Sequence, residues 1–158
     1  MITVAVLVSS DRAFNGVYPD KSGQYLREKM TAEGYSVSYV DILPDDYEKL
    51  KDKLDFYVER GIDLVLTTGG TGFAERDVRP EVTKAVIDRE TPGVCEAIRA
   101  ASMSITPHAM LSRAVSGIKI KTWIINLPGS LKAVRESLDV ILPAIPHGVG
   151  IIKGAADN

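Results

Sequence analysis

The sequence predicts a three-layer α/β/α sandwich on a mostly parallel sheet, folded as a single domain. Residues 2–8 form a continuous apolar run rich in β-branched side chains and bounded by Ser9-Ser10-Asp11, the pattern of a strand buried on both faces. Similar runs alternate with stretches of helical spacing, and that alternation implies right-handed crossovers between parallel strands. The chain has 158 residues, 45% hydrophobic and 25% charged, which suits one soluble core.

The remaining elements follow in order. Residues 24–32 carry Tyr25, Leu26 and Met30 at helical spacing, with Gly34 placed as a helix-ending glycine. Residues 37–42 read as the second strand. Residues 46–60 read as a helix with Leu50, Leu54, Tyr57 and Val58 on one face, closed by Gly61. Residues 64–68 make a third strand that runs straight into a glycine-rich turn. Residues 80–87 and 93–103 read as helices, and 113–115 and 118–126 as strands separated by Gly117. Residues 131–142 form a last amphipathic helix, with Leu131, Val134, Leu138 and Ile141 on its stripe. The domain is expected to span 1–153, with 154–158 a frayed tail.

Composition excludes several classes. A net charge of −2 exerts no global pull on nucleic acid or an anionic membrane, so any anion site must be local. Cys95 stands alone and the histidines are only His108 and His147, which leaves no internal disulfide, no thiolate cluster and little for a zinc site. The first residues lack a basic segment of signal-peptide type, and no apolar run has the length of a membrane span. The cytoplasm is the expected compartment.

Ligands on folds of this kind collect beyond the carboxyl ends of the parallel strands. Those ends are Ser9-Ser10-Asp11-Arg12, Leu43-Pro44-Asp45-Asp46, Thr67-Thr68-Gly69-Gly70-Thr71-Gly72 and Asn126-Leu127-Pro128-Gly129-Ser130. Three glycines in four positions allow positive φ and close backbone approach, so successive N–H groups can form an anion cradle, with Thr67, Thr68 and Thr71 adding hydroxyls. A ligand-free tight turn would read the same way. The loop is not a P-loop, for no Gly-Lys-Ser/Thr follows, nor the dinucleotide fingerprint.

Asp77 lies five residues beyond Gly72 and suits magnesium beside phosphate, although for one aspartate alone a surface or helix-start reading carries more weight. Asp45 has a strong structural alternative, since Asp45-x-x-Glu48 is a capping box for the next helix. Two carboxylates and a phosphate cradle are what metal-assisted nucleotidyl transfer requires. Ser102, Ser112 and Arg113 are further polar candidates, each with a bland helix-end or turn reading.

In this set of residues the chain resembles the molybdopterin adenylyltransferase family, the Mog/MoaB type also found as a domain of larger eukaryotic molybdenum-cofactor proteins. The matching pieces are Ser9-Ser10-Asp11-Arg12-Ala13, Asp20-Lys21-Ser22-Gly23, the 67–72 loop and Arg76-Asp77-Val78-Arg79-Pro80-Glu81. They continue with Pro92-Gly93, Thr106-Pro107-x-Ala109-x-Leu111-Ser112-Arg113 and Asn126-Leu127-Pro128-Gly129-Ser130. The pieces stand in family order over nearly the whole domain.

The resemblance implies a homotrimer that uses Mg2+ and ATP to adenylate molybdopterin, releasing pyrophosphate, in molybdenum or tungsten cofactor synthesis. It also implies a possible hand-over of product to a molybdate-insertion protein. By that resemblance Asp45 and Asp77 serve magnesium and catalysis. Thr68, Gly69, Gly70, Thr71, Gly72, Pro128 and Gly129 contact the nucleotide. Ser9, Asp11, Ser22, Ser102, Ser112, Arg113 and Ser130 line the substrate pockets. The alternative is a non-catalytic molybdopterin- or precursor-binding protein of the same fold. The chain departs from the family at Arg79, where threonine is usual. An arginine there cannot cap the helix that begins at Pro80, and is expected instead to point toward a bound triphosphate.

Overall fold

The computed structural model describes residues 1–154 of the chain. Six strands form one sheet in the order β2-β1-β3-β6-β5-β4. Strands β1 (Thr3–Ser9), β2 (Ser36–Leu43), β3 (Leu64–Thr68) and β6 (Thr122–Leu127) pair in parallel. Strands β5 (Ser116–Lys119) and β4 (Arg89–Glu90) add an antiparallel edge. The mostly parallel sandwich read from the sequence is therefore present, with an edge hairpin added.

Strand alternation sets the layers. In β1, Val4, Val6 and Val8 face one core while Ala5 and Leu7 face the other. The first core takes Leu26 and Met30 of α2 (Lys21–Ala32), Ile98 of α5 (Pro92–Met103) and Val134, Leu138 and Ile141 of α6 (Leu131–Ile141). It also takes Ile145 and Val149 of α7 (Ile145–Ile152). The second takes Leu50, Leu54 and Tyr57 of α3 (Tyr47–Glu59) and Val82 and Val86 of α4 (Arg79–Val86). Because β1, β3 and β6 are covered on both faces, they read as near-continuous apolar runs.

Three local readings are corrected. The 113–115 segment is not a strand, and Gly117 lies inside β5, where a Cβ would collide with Ile87 and with the Arg89 carbonyl. The break falls instead at Ile120, which takes φ 56° in the β5–β6 turn. Helix α2 begins at Lys21, three residues before its apolar pattern, because the Asp20 carboxylate caps it by accepting from the Gly23 N–H at 2.8 Å. The short helix α1 (Asp11–Phe14), the β4 strand and α7 carry too little periodicity to be read from sequence. None of the described helices is long and apolar enough to cross a membrane. The frayed-tail expectation falls, from residue 155 on, outside the described residues.

Candidate active site

The carboxyl ends of β1, β2, β3 and β6 converge as expected, and the glycine loop after β3 stands at their centre. Gly69 and Gly70 take φ values of 92° and 73°, a region in which L side chains are strained. At Gly69 a Cβ would also collide with the Ser9 carbonyl oxygen. The loop carbonyls turn into the protein: Gly70 O accepts from Arg79 N–H at 3.1 Å and Thr71 O from Arg113 N–H at 2.9 Å. Gly72 O accepts from Arg113 Nε at 2.8 Å. The N–H groups of Gly70, Thr71 and Gly72 have no acceptor among the described residues. Successive unmatched N–H groups are the raw material of an anion cradle.

A cleft of about 610 Å³ opens at Thr68, Gly69 and Gly70. Its lining includes Ser9, Ser22, Asp45, Thr68, Gly69, Gly70, Asp77, Gly129 and Ser130, nine of the expected residues from six parts of the chain. Asp45 lies beside Gly70, with its Oδ1 3.6 Å from where a Cβ on that glycine would stand, and Asp77 Oδ2 approaches Gly72 at 2.9 Å in the same sense. The two carboxylates thus flank the cradle.

Asp45 is not the cap of α3. Asp46 takes that role by accepting from Lys49 N–H at 2.9 Å, which leaves the Asp45 carboxylate to receive Ser9 Oγ at 2.5 Å and the Asp11 N–H at 3.3 Å. Asp77 Oδ2 accepts from Ala74 N–H at 2.9 Å. No group of three or more His, Cys, Asp or Glu residues able to hold a metal occurs among the described residues. Two carboxylates beside a phosphate cradle suit magnesium that arrives with its nucleotide, because that ion keeps most of its shell as water and phosphate oxygens.

A second cavity, of about 290 Å³, shares the loop as its wall. Thr71, Gly72, Pro128, Ser102 and Ser112 line it, together with Cys95, Ile98, Ala109, Leu111 and Ala114. Its polar groups include Arg99, His108 and Glu136, three residues that sequence reasoning did not single out. They come from α5, α6 and the 3-10 turn Pro107–Leu111, and nothing local distinguishes them from surface residues. Burial pushes the Cys95 thiol up to about 11, so it is an inert part of the wall at neutral pH.

Several expected residues act one step back. Arg113 reaches neither of these two cavities. Its guanidinium donates to Gly72 O, to Asp77 O at 2.6 Å and to Glu81 Oε2 at 2.7 Å, so it clamps the loop, and it lines a third cavity of about 260 Å³ with Cys95, Arg99 and Ser112. Asp11 does not line the cleft either. It pairs bidentately with Arg76 at 2.6 and 2.9 Å and accepts from Asp45 N–H at 3.0 Å; the Arg76 hydrogen bond, helped by the Asp45 backbone, holds its carboxyl below the usual range. Thr67 and Thr68 do not offer hydroxyls to a ligand. Thr67 Oγ1 accepts from buried Asn126 and Thr68 Oγ1 donates to Pro128 O at 2.5 Å. Ser130 caps α6 through Ala133 N–H, and Ser22 donates to Gly129 O at 2.8 Å. These contacts lock the four strand ends together.

Arg79 is the surprise of the site. Val78 is the residue before the helix, with no side-chain cap, and Arg79 is the first helical residue. Its side chain is fully buried rather than aimed along the cleft surface, and Nε, Nη1 and Nη2 find no acceptor among the described residues. Burial lowers its pKa to about 10, which leaves it a cation at neutral pH.

With this geometry in hand, the comparisons with known proteins agree in direction. Residues 5–147 match the family described as "Probable molybdopterin binding domain". The crystal structure of the molybdopterin biosynthesis enzyme MoaB from Thermus thermophilus superposes with a TM-score of 0.92 at 41% identity, covering 98% of both chains. A protein named molybdopterin adenylyltransferase in Helicobacter pylori is 41% identical over 97% of this chain and 89% of its own length. A gephyrin from Dictyostelium discoideum is 43% identical over 95% of this chain, which spans only 22% of that longer protein. The fold and site define an α/β protein with a glycine loop between two carboxylates at the strand ends. The chain belongs to the molybdopterin-binding domain family of molybdenum cofactor biosynthesis.

Proposed function

We propose that this protein is a molybdopterin adenylyltransferase acting with ATP and Mg2+ in molybdenum or tungsten cofactor synthesis. The observation that carries the reading is the shared wall. One glycine loop, whose Gly70, Thr71 and Gly72 N–H groups are unmatched among the described residues, borders a polar cleft flanked by Asp45 and Asp77 through Gly69 and Gly70 and walls an apolar cavity through Thr71 and Gly72. The first suits nucleotide phosphates and the second a flat pterin, held so that the phosphate of one meets the α-phosphate of the other.

In the proposed reaction a terminal phosphate oxygen of molybdopterin attacks the α-phosphorus of ATP. The bond from that phosphorus to the bridging oxygen breaks, and pyrophosphate leaves with the electron pair. The nucleophile is already ionised at neutral pH, so positioning and charge stabilisation carry the rate, and no general base is required. The N–H groups of residues 70–72 hold the phosphates in line, and Arg113 keeps that loop rigid. Magnesium, when bound with the nucleotide, supplies neutralisation of charge building on the transferred group. Asp45 and Asp77 are the residues that would hold it.

The reading includes a homotrimer in the cytoplasm that hands its product to a molybdate-insertion protein. Met103, Ile105, Met110 and Leu111, exposed around the end of α5 and the turn after it, supply an apolar face for the assembly. Incubation with molybdopterin and Mg-ATP tests the activity. Pyrophosphate and adenylylated pterin should form with the native chain and not with Asp77→Ala. Tight pterin binding without product would make the protein a non-catalytic carrier. Sedimentation at micromolar concentration tests the trimer.

A further inference from the structure

Arg79 presents a physical problem that the reaction above does not use. A guanidinium keeps its charge in any protein environment, and an uncompensated buried charge is among the more expensive features a fold can hold. Here all three nitrogens are buried without an acceptor, and the position also forgoes a helix cap.

Its location narrows the explanation. The Arg79 N–H donates to Gly70 O at 3.1 Å. A Cβ built on Gly70 would stand 3.2 Å from Arg79 Cβ and 3.6 Å from Asp45 Oδ1. The cation's stem and the carboxylate therefore lie against one glycine of the cradle. Asp45 gives its hydrogen-bonding capacity to Ser9 and Asp11, and none to Arg79. On the far side Tyr57 donates to Asp41, which also lies 4.0 Å from Lys53. Among the described residues no carboxylate is thus paired with the guanidinium, and the chain segment that carries it packs against a loop whose Gly70, Thr71 and Gly72 N–H groups have no acceptor of their own.

We propose that Arg79 is a positioning cation of the anion cradle, which supplies from beneath Gly70 part of the charge that bound polyphosphate would otherwise draw from a divalent metal. The inference rests on the reading that this cleft takes nucleotide phosphates. Two consequences of opposite sign follow. Polyphosphate binds without metal, and metal alone is disfavoured at Asp45, because the same cation attracts the one and repels the other.

Titration calorimetry on the full chain tests both, using pyrophosphate in buffer with chelator and, separately, Mn2+ without nucleotide. Removing the charge in Arg79→Met should weaken metal-free pyrophosphate binding about tenfold and tighten Mn2+ binding by a similar factor, the scale of one unit charge acting through protein. Arg79→Lys should restore most of both effects, which a role in packing alone would not produce. Where Arg79→Met does not fold, Arg79→Gln removes the same charge. Unchanged pyrophosphate affinity in the neutral variant, even with a raised melting temperature, overturns the inference and leaves the cleft's phosphate reading intact. Failure of the native chain to bind pyrophosphate with or without Mg2+ overturns that reading, and the inference with it.

Discussion

The two cavities on either side of the glycine loop share a wall and little else. The larger is lined by Asp20, Lys21, Asp45, Asp77 and four serines, Ser9, Ser10, Ser22 and Ser130. The smaller is walled by Ile98, Ala109, Leu111, Ala114 and Pro128, with a few polar groups at Arg99, His108 and Glu136. Charge and hydroxyls suit a strongly hydrated polyphosphate, whereas apolar walls with sparse polar fixtures suit a planar organic ring. The difference also lies in construction. The polar cleft is assembled from strand ends, whose positions the sheet dictates, and the apolar cavity from helix surfaces and a 3-10 turn.

The most damaging way to break this arrangement is at the shared wall. In Gly69→Ala a methyl group would meet the Ser9 carbonyl oxygen, at a φ of 92°. Such strain costs on the order of 1–3 kcal/mol, and we expect both ATP and pterin binding to disappear. Retained binding of either ligand, measured by calorimetry, would show that the cavities do not depend on one loop.

Asp77→Asn addresses the polar cleft alone. Turnover should fall roughly 10²–10³-fold, the scale of losing one charge-stabilising group, while the pterin dissociation constant stays put. The isosteric change should move the unfolding free energy by no more than about 0.5–1 kcal/mol. A parallel loss of pterin affinity would argue against separate subsites.

Ser102→Phe is the converse, since it intrudes into the apolar cavity from α5. We expect the KM for pterin to rise about tenfold, the cost of losing roughly 1.4 kcal/mol of binding, with the KM for ATP unchanged. Steady-state kinetics with each substrate varied in turn separates these outcomes.

The smallest effect is acid sensitivity of the rim. Asp11 is held below its usual range by the hydrogen bond from Arg76, and Glu81 by that from Arg113. A depressed carboxylate pKa contributes stability above the ordinary carboxylate range, and that contribution is lost as pH falls through the folded value. Both pairs are substantially exposed, so the contribution is modest. Asp11→Asn and Glu81→Gln variants should therefore show a shallower loss of melting temperature below about pH 4 than the native chain. Identical profiles would mean that neither pair contributes measurably.

Much of the polar cleft was legible in the sequence because its chemistry is local. A strand that ends in three glycines, followed at short range by an aspartate, has few physical interpretations, and Gly69, Gly70, Asp45 and Asp77 all stand where such a reading puts them. The errors have a common cause. The helix-cap alternative for Asp45, Thr67 and Thr68 as ligand hydroxyls and Arg113 beside the two cavities of the glycine loop are each reasonable from neighbours in the chain. In each case a partner distant in sequence decided otherwise: Ser9 for Asp45, Asn126 for Thr67, Pro128 for Thr68, and the Gly72 and Asp77 carbonyls for Arg113.

By itself, then, the sequence determined the layered architecture, the strands that carry the site and the glycine loop at its centre. These follow from hydrophobic periodicity and backbone freedom, both properties of short segments. Only the tertiary structure decided which hydroxyls and cations are spent on holding the loop, that two cavities rather than one border it, and that Arg79 lies buried without a partner beneath Gly70. Those outcomes depend on which groups meet across the fold, and no local pattern records a meeting between residues dozens of positions apart.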